Sequence, residues 1–173
     1  DPARQPQIVS NGVIETFDGH PAVRMLSDLL NIAPISFTSG YVGAVASVAQ
    51  SDDNAPVVLH AIPHGSPYNN LLGFTTGGGI RYRVASPDSG ATYQTVGSTN
   101  TNVLMGYTAD GVADIKYFKN GNLVAAQTSA TGLSAVTGIG GFHATQSAVD
   151  SRVQEVVIFN SAFSTTDRQT LER

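Results

Sequence analysis

Residues 114–126, with the sequence DIKYFKNGNLVAA, have the pattern of a β-hairpin. Two segments that contain apolar and aromatic residues, 113–118 and 123–127, lie on either side of the dipeptide Asn120-Gly121. Asn and Gly both tolerate the positive φ angles that a two-residue hairpin turn requires. The segment therefore predicts two antiparallel strands that are joined by a tight turn.

Strand and turn signals of this kind recur along most of the chain. Three further Asx-Gly pairs carry the turn signal: Asn11-Gly12, Asp18-Gly19 and Asp110-Gly111. Short strands at intervals of about 8–12 residues are typical of sandwiches and barrels. Strands are predicted at 7–9, 13–17, 22–25, 41–50, 56–62, 71–75, 79–85, 92–96, 102–108, 113–118, 123–127, 137–142 and 152–160.

One helix is predicted near the end of the sequence. Ser164 and Asp167 stand three residues apart, in the pattern of a capping box. This pattern predicts a helix at 165–172, with Leu171 as its main apolar residue. A short helical turn is also predicted at 27–30.

These signals together predict an all-β fold, an antiparallel two-sheet jelly-roll sandwich with a short C-terminal helix. In such a sandwich, alternate residues of each strand face the core. Alternation along the last predicted strand would turn Val153, Val157 and Phe159 inward. The core is predicted to include Ile115, Tyr117, Val157, Phe159 and Leu171. Truncation of Phe159 to Ala is then expected to cost about 3–5 kcal/mol.

Composition excludes several classes of function. The 173 residues fit one domain spanning 1–173. Net charge is −4 and the 9 Lys and Arg residues are scattered, so no basic stripe is present for nucleic acid. The absence of cysteine excludes disulfides and thiolate zinc sites. No apolar run approaches the roughly 20 residues that span a bilayer, so membrane insertion is not expected.

Charged residues make up only 13% of the chain, well below the usual quarter for a soluble domain. We take a low-charge sequence rich in Thr, Ser, Asn and Gly as typical of extracellular and virion proteins. The sequence begins with Asp-Pro-Ala-Arg rather than Met and stops within the predicted helix. We therefore expect a piece of a longer protein that is extracellular, at a cell surface or in a virion.

Several segments resemble the laminin G-like, concanavalin A-like jelly-roll family: DIKYFKNGNLVAA at 114–126, IGG at 139–141, VQEVVIFNSAFSTTDRQTLER at 153–173, and FDG with PAVR within 17–24. The opening, QPQIV at 5–9 and GVIE at 12–15, resembles the arabinofuranosidase-catalytic-domain-like modules of phage and bacterial surface proteins. The resemblance implies the same jelly-roll fold. It says less about function, because this fold hosts lectins, adhesion modules and glycosidases.

The resemblance implies, first, a non-enzymatic structural or adhesion module of a phage tail or bacterial surface protein. Such a module would contact a glycan or cell-surface polysaccharide, and neighbouring copies or other subunits of a larger assembly. Two alternatives stay open, an arabinofuranosidase-like glycoside hydrolase and a calcium-dependent carbohydrate-binding module. Hydrolysis needs two carboxyl groups about 5–10 Å apart across a cleft. No motif selects such a pair among the 13 acidic residues, so no catalytic residue is assigned and no hydrolysis is expected.

The ligand-binding residues predicted from the sequence fall in two segments. The loop at 64–70 offers imidazole, phenol and amide groups, which can hold a sugar by hydrogen bonds and an aromatic face. A second candidate is the short cationic and aromatic run RYR at 81–83. The candidate ligand-binding residues are His64, Tyr68, Asn69 and Asn70 of the first segment, and Arg81, Tyr82 and Arg83 of the second.

A calcium site is the metal site that the sequence favours, because hard oxygen ligands in a loop suit this ion. The candidate ligands are Asp52, Asp53 and Asn54, with Asp88, Asp110 and Asp150 as scattered alternatives. His60 and His64 form a weaker candidate pair, since Pro63 between them disturbs a strand. Apart from calcium, no cofactor is expected.

Overall fold

The computed structural model describes residues 9–10, 12–26, 29–36, 38–48, 57–60, 70–74, 79–82, 92–95, 102–110, 114–127, 135–140, 150–161 and 163–172. Within these ranges the chain is almost entirely extended. The strands are β1 (Val9–Ser10), β2 (Val13–Ile14), β3 (Thr16–Phe17), β4 (His20–Pro21), β5 (Val23–Leu26), β6 (Leu29–Ile35), β7 (Ser39–Val48), β8 (Val57–His60), β9 (Asn70–Phe74), β10 (Gly79–Tyr82), β11 (Thr92–Thr95), β12 (Val103–Asp110), β13 (Asp114–Lys119), β14 (Asn122–Gln127), β15 (Val136–Gly140) and β16 (Asp150–Phe159). The helix α1 covers Thr165–Leu171.

The longer strands form two six-stranded sheets. Sheet I has the strand order β14-β13-β12-β7-β16-β5, and sheet II has the order β11-β10-β9-β8-β15-β6. Neighbouring strands run antiparallel in both sheets. The remaining strands form two short hairpins, β1-β2 and β3-β4. The prediction of an all-β, antiparallel fold with a short C-terminal helix is confirmed.

The two sheets pack face to face around an apolar core. Tyr82 of sheet II and Tyr117 of sheet I have ring centroids 4.8 Å apart. The Tyr82 hydroxyl donates a hydrogen bond to the main-chain carbonyl of Phe118 in sheet I. Alternate residues of β7 and β12 are buried in the same core: Val42, Ala44 and Ala46, and Val103, Met105, Tyr107 and Ala109. The predicted core residues Ile115 and Tyr117 are fully buried.

The turns between paired strands follow the sequence signals. Asn120 and Gly121 have φ angles of 47° and 74°, and Asp18 and Gly19 have φ angles of 53° and 78°. Two consecutive positive φ angles are the signature of the hairpin turn that Asx-Gly pairs favour. The Asn120 side chain also accepts a hydrogen bond of 3.0 Å from the main-chain amide of Leu104, which ties the turn to β12.

The last strand, β16, corrects the predicted core. Val153 is buried and faces the core, but the pairing register with β7 shifts between Val153 and Glu155. This β-bulge places one extra residue in β16, and such a shift exchanges the two faces of the strand beyond it. Val156 and Ile158 therefore pack against the core, whereas Phe159 lies on the opposite face and is 39% exposed. The core assignments of Val157 and Phe159 were wrong for this reason.

Two strands were missing from the sequence prediction, the two-residue β4 and the longer β6. Leu29 and Leu30 begin β6, so the helical turn predicted at 27–30 is wrong over these two residues. Strand β6 lies at the edge of sheet II and contains Pro34. An edge strand accepts proline because one side of its backbone needs no ladder hydrogen bond.

Candidate ligand-binding face

The side of sheet I that is turned away from sheet II is called the outer face here. Because side chains alternate along a strand, this face carries the residues between those that fill the core. The strand register aligns them across the sheet. They are Tyr41, Gly43 and Val45 of β7, Leu104, Gly106 and Thr108 of β12, Lys116 and Phe118 of β13, and Glu155, Val157 and Phe159 of β16.

Two glycines make room for a tyrosine on the outer face. A Cβ atom at Gly43 would lie 2.8 Å from Cζ of Tyr41, and one at Gly106 would lie 2.9 Å from its hydroxyl oxygen. Gly43 and Gly106 are paired on β7 and β12, so together they form a gap that the phenol fills. Tyr41 is consequently buried although it does not belong to the core between the sheets.

Helix α1 begins with the predicted capping box. The Ser164 hydroxyl accepts a hydrogen bond of 3.1 Å from the main-chain amide of Asp167, and the Asp167 carboxylate accepts one of 3.3 Å from the amide of Ser164. The cap fixes the start of the helix as predicted. The residue that packs the helix against the sheet is not the predicted Leu171, which is 39% exposed. Arg168 is buried instead. The prediction that Leu171 is a core residue was wrong.

Arg168 holds α1 against the hairpin of β13 and β14. Its guanidinium carbon lies 3.9 Å from the centre of the Phe118 ring, a cation–π contact. Its Nη1 donates a hydrogen bond of 3.0 Å to the carbonyl of Gly121 and also pairs with the carboxylate of Glu172. The side chains of Arg168 and Glu172 are both buried, so the ion pair is shielded from water.

Tyr41 completes this buried network. Its hydroxyl donates a hydrogen bond of 3.1 Å to Oε1 of Glu172. Burial raises the pKa of the Tyr41 hydroxyl, and the negative charge of Glu172 raises the same pKa further. The phenolate is therefore disfavoured, and Tyr41 serves as a structural donor rather than as a nucleophile.

Three aromatic rings meet where the chain leaves β16 and enters α1. Phe163 stacks on Tyr41 with ring centroids 5.1 Å apart, and it contacts Phe159 at 4.9 Å. Phe159 is partly exposed and Phe163 is half-buried. The pair therefore presents apolar ring surface at the outer face, beside the hairpin of β12 and β13.

A polar depression of about 200 Å³ lies next to these rings. It is lined by Thr108, Ala109, Asp110, Asp114, Lys116 and Phe163. The register of the hairpin places Asp110 directly opposite Asp114, and Thr108 directly opposite Lys116. Both aspartates are exposed, and Lys116 Nζ lies 2.6 Å from Oδ2 of Asp114. The depression thus combines two carboxylates, an ammonium, a hydroxyl and an aromatic ring.

The charges of the polar depression do not serve the stability of the hairpin. Like charges directly opposite each other on paired strands are destabilising. The Lys116–Asp114 pair is exposed, and exposed ion pairs contribute little stability. Asp110 has no ion-pair partner among the residues that the structure describes.

An apolar cavity of about 300 Å³ lies at the other end of the C-terminal segment, beside the end of α1. It is lined by Tyr41, Gly43, Ala44, Val45, Leu104, Glu155, Val157, Leu171 and Glu172. Two carboxylates therefore border one cavity, and glycoside hydrolysis uses two carboxyl groups. However, the Glu172 carboxylate already accepts hydrogen bonds from Tyr41 and Arg168 and holds α1 in place. The pair is not free to act as a catalytic acid and base.

Most of the predicted binding residues lie outside the described part of the chain. These are His64, Tyr68, Asn69 and Arg83, and the calcium candidates Asp52, Asp53 and Asn54. Asn70 is the first residue of β9 and pairs with His60, and Arg81 pairs with Gly73 and Tyr93. Both therefore belong to sheet II and not to the outer face of sheet I.

Tyr82 requires a correction. Its ring is fully buried between the sheets and its hydroxyl is bonded to the carbonyl of Phe118. A ligand at the surface cannot reach either group, so Tyr82 does not belong to a surface site. Alternation along β10 explains the placement, because Ile80 and Tyr82 share the face that is turned toward sheet I.

The sequence did contain a signal for the polar depression. Thr108 and Asp110 are two apart, as are Asp114 and Lys116, and residues two apart share one face of a strand. Pairing of the two strands through the loop then predicts one polar patch. Phe163 could not be added in this way, since only the tertiary fold brings it beside the hairpin.

Within the described ranges, no group of three or more His, Asp or Glu side chains could hold a metal ion. Among those same residues, no helix has the length and apolar character needed to cross a membrane.

No protein-family model matches this sequence, and no curated protein sequence matches it. Solved structures do share its architecture. The botulinum neurotoxin serotype D binding domain has a TM-score of 0.66 at 13% identity, covering 97% of this chain and 45% of that chain. The serotype D ligand binding domain in complex with N-acetylneuraminic acid has a TM-score of 0.63 at 12% identity, covering 96% and 49%. Trypanosoma rangeli sialidase in complex with sialic acid has a TM-score of 0.63 at 16% identity, covering 87% and 27%.

The chain therefore spans between about a quarter and a half of the length of these similar chains. At such low identity the likeness is one of fold. This chain is an antiparallel β-sandwich protein of the jelly-roll-like kind that these structures share.

Proposed function

We propose that this chain is a non-enzymatic carbohydrate-binding module that binds glycan through the polar depression on the outer face. The observation that carries the proposal is the grouping of Asp110, Asp114, Lys116 and Thr108 beside the ring of Phe163. Carboxylates accept hydrogen bonds from sugar hydroxyls, the ammonium donates, and the Thr hydroxyl does both. A partly exposed aromatic ring offers an apolar surface to the C–H groups of the sugar.

The charge of the depression points to a class of sugar. Two aspartates and one lysine leave a net negative site, which repels an anionic ligand. The similar structures that hold sialic acid support a glycan-binding role for this fold. For this chain, however, we propose a neutral or amino-bearing sugar as the ligand rather than sialic acid.

The proposed setting follows from the sequence. We propose that residues 1–173 form one concanavalin A-like domain of a longer protein, in a phage tail or on a bacterial surface. There it would adhere to a cell-surface polysaccharide and contact neighbouring copies or other subunits. The low charge of the chain and the resemblance of its opening segment support this setting.

A binding titration tests the site. Neutral oligosaccharides, amino sugars and N-acetylneuraminic acid are titrated while the backbone amide signals of β12 and β13 are followed by NMR. We expect dissociation constants between millimolar and micromolar for neutral or amino sugars, roughly 4–8 kcal/mol of binding free energy, and weaker binding of the acidic sugar. Shifts that map away from this hairpin, or a preference for the acidic sugar, would overturn the proposal.

The substitution Asp110→Asn tests whether Asp110 contributes to sugar affinity or to the free energy of unfolding. The variant removes the like charge that faces Asp114, so the free energy of unfolding should hold or rise while sugar affinity falls several-fold. Asp18→Asn is the matched control, because it removes one charge from the β3-β4 turn, which does not line the depression, and Asn tolerates the positive φ there. Unchanged affinity in Asp110→Asn would exclude the depression as the site.

A turnover assay tests the non-enzymatic part of the proposal. Incubation with arabinoside and bacterial-polysaccharide panels is expected to release no reducing sugar. Release that is abolished by Glu155→Gln would show instead that the apolar cavity is a catalytic site.

A further inference from the structure

We infer that the apolar cavity beside the end of α1 binds an organic cation, an ammonium group carried on an apolar chain. This site is separate from the polar depression, and the inference goes beyond the proposed glycan binding. Four apolar side chains line much of the cavity: Val45, Leu104, Val157 and Leu171. Its volume of about 300 Å³ is at the lower end of the range for small-molecule sites. A short alkyl chain matches both the size and the walls.

The carboxylate of Glu155 supplies the complementary charge. Glu155 is exposed and has no ion-pair partner among the residues that the structure describes. The other acid of the cavity, Glu172, is already neutralised by Arg168. The lining therefore has one unpaired negative charge above an apolar floor, which matches a cation and disfavours an anion.

The fold directs Glu155 to this position. The β-bulge between Val153 and Glu155 exchanges the faces of β16, and without it the residues that follow would face the other way. Bulges are frequent next to functional sites because they re-aim a side chain. Here the bulge places the Glu155 carboxylate at the cavity and, two residues on, Val157 in its wall.

Tyr41 holds one wall of the cavity in place. Its ring lines the cavity and its hydroxyl donates to Glu172, which fixes the ring across the two glycines. Because the ring also stacks on Phe163, its faces are already in contact with the protein, and the attraction for a cation comes from Glu155. A ligand that places its ammonium at Glu155 and its alkyl chain against Leu171 would match the charge and the apolar side chains of the cavity.

The test compares two ligands that differ in charge alone. The chain is titrated with 1-butylamine, which is protonated at neutral pH, and with 1-butanol, and the amide signals of β7 and β16 are followed by NMR. We expect butylammonium to bind about tenfold more tightly than butanol, since a charge-assisted hydrogen bond is roughly twice as strong as a neutral one. Added salt should weaken the binding of the amine and leave the binding of the alcohol unchanged. Equal binding of both ligands, or binding of neither, would overturn the inference.

Three variants show which residues of the cavity cause the preference for the amine over the alcohol. Glu155→Gln should remove the preference for the amine over the alcohol, because it deletes the charge and keeps the shape. Leu171→Ala should lower the affinity for both ligands by a similar factor, since it removes part of the apolar surface that lines the cavity. Asp18→Asn removes the same amount of charge from a residue that does not line the cavity, and it should change neither affinity. An unchanged preference in Glu155→Gln would overturn the inference, and the melting temperatures of all three variants verify that they are folded.

The source of the ammonium is distinguished by one further ligand. Nα-acetyl-lysine N-methylamide carries the same alkylammonium group on a peptide backbone. Binding as tight as that of butylamine would support a lysine side chain of a protein partner as the occupant. Exclusion of this ligand, with butylamine still bound, would support a free amine.

Discussion

The two faces of sheet I are both covered, but by different means. On the inner face, Tyr107, Tyr117 and Ile115 are fully buried against sheet II in an apolar core. On the outer face, a helix of seven residues covers only part of the sheet, and its buried side chain is an arginine. The inner face is therefore held by close packing, and the outer face by one shielded network of charges and hydrogen bonds.

This difference separates stability from binding within one sheet. At the centre of the inner face, Tyr107, Tyr117 and Ile115 are fully buried, so a ligand cannot reach their side chains. The short helix leaves depressions at both of its ends on the outer face, one polar and one apolar. We expect substitutions on the inner face to act on the free energy of unfolding, and substitutions on the outer face to act mainly on ligands, with the Arg168 network as the exception.

The largest effect is expected on the inner face. Tyr117→Ala removes a fully buried ring that packs against Tyr82 and should cost about 3–5 kcal/mol of unfolding free energy. Urea denaturation followed by circular dichroism measures it. A loss under about 1 kcal/mol would be far below the usual cost of truncating a buried aromatic ring, and the two sheets would then not pack as described.

The next largest effect is expected from the buried ion pair of Arg168 and Glu172 on the outer face. Arg168→Ala leaves the buried carboxylate of Glu172 without its partner, at a cost of about 3 kcal/mol. Because α1 is short, we expect this loss as detachment of the helix, seen as faster amide exchange in residues 165–171. The double variant Arg168→Met with Glu172→Gln removes both charges and should recover much of the protection. If the double variant is no better than the single one, the buried charge is not the cause.

A smaller effect distinguishes the two tyrosines that are in contact between the sheets, Tyr82 and Tyr117. Tyr82→Phe loses the hydrogen bond to the Phe118 carbonyl and should cost about 1 kcal/mol. Tyr117→Phe should cost close to nothing, because its buried hydroxyl has no hydrogen-bond partner within the described structure. Thermal melts of both variants check this order, and equal losses would contradict it.

The smallest effect is expected at Phe159. Alternation along the sequence predicted a core residue and a loss of about 3–5 kcal/mol for Phe159→Ala. Since Phe159 is 39% exposed and contacts mainly Phe163, about 1 kcal/mol is now expected. A denaturant melt decides between the two values. A loss near the larger one would mean that the bulge in β16 is not present.

The features that the sequence predicted correctly are local ones. The turn at Asn120-Gly121 and the cap formed by Ser164 and Asp167 each depend on a few neighbouring residues. Their chemistry is complete within the segment, so no knowledge of the rest of the chain was required.

The features that the sequence prediction missed depend on contacts between residues that are far apart in the chain. Nothing local to β16 marks the bulge, because it is defined by pairing with β7. Burial of Arg168 requires Phe118 and Gly121, which lie about 50 residues earlier in the chain. The polar depression could be predicted in part, because the sequence shows the polar residues of β12 and β13. Phe163 joins them only through the tertiary fold.

The buried tyrosines have a consequence for the protons that the chain holds. Of the 6 tyrosines, Tyr41, Tyr82, Tyr107 and Tyr117 have a pKa that burial raises above the ordinary value near 10. In the unfolded chain these hydroxyls ionise near pH 10, whereas in the folded chain they keep their protons. The stability that they contribute is therefore complete below pH 10 and decreases as the pH rises above it, by up to about 1.4 kcal/mol per pH unit for each tyrosine. Because Tyr82, Tyr107 and Tyr117 share the core between the sheets, hydroxide should unfold this sandwich in one steep step, with the phenolate absorbance of these three appearing together.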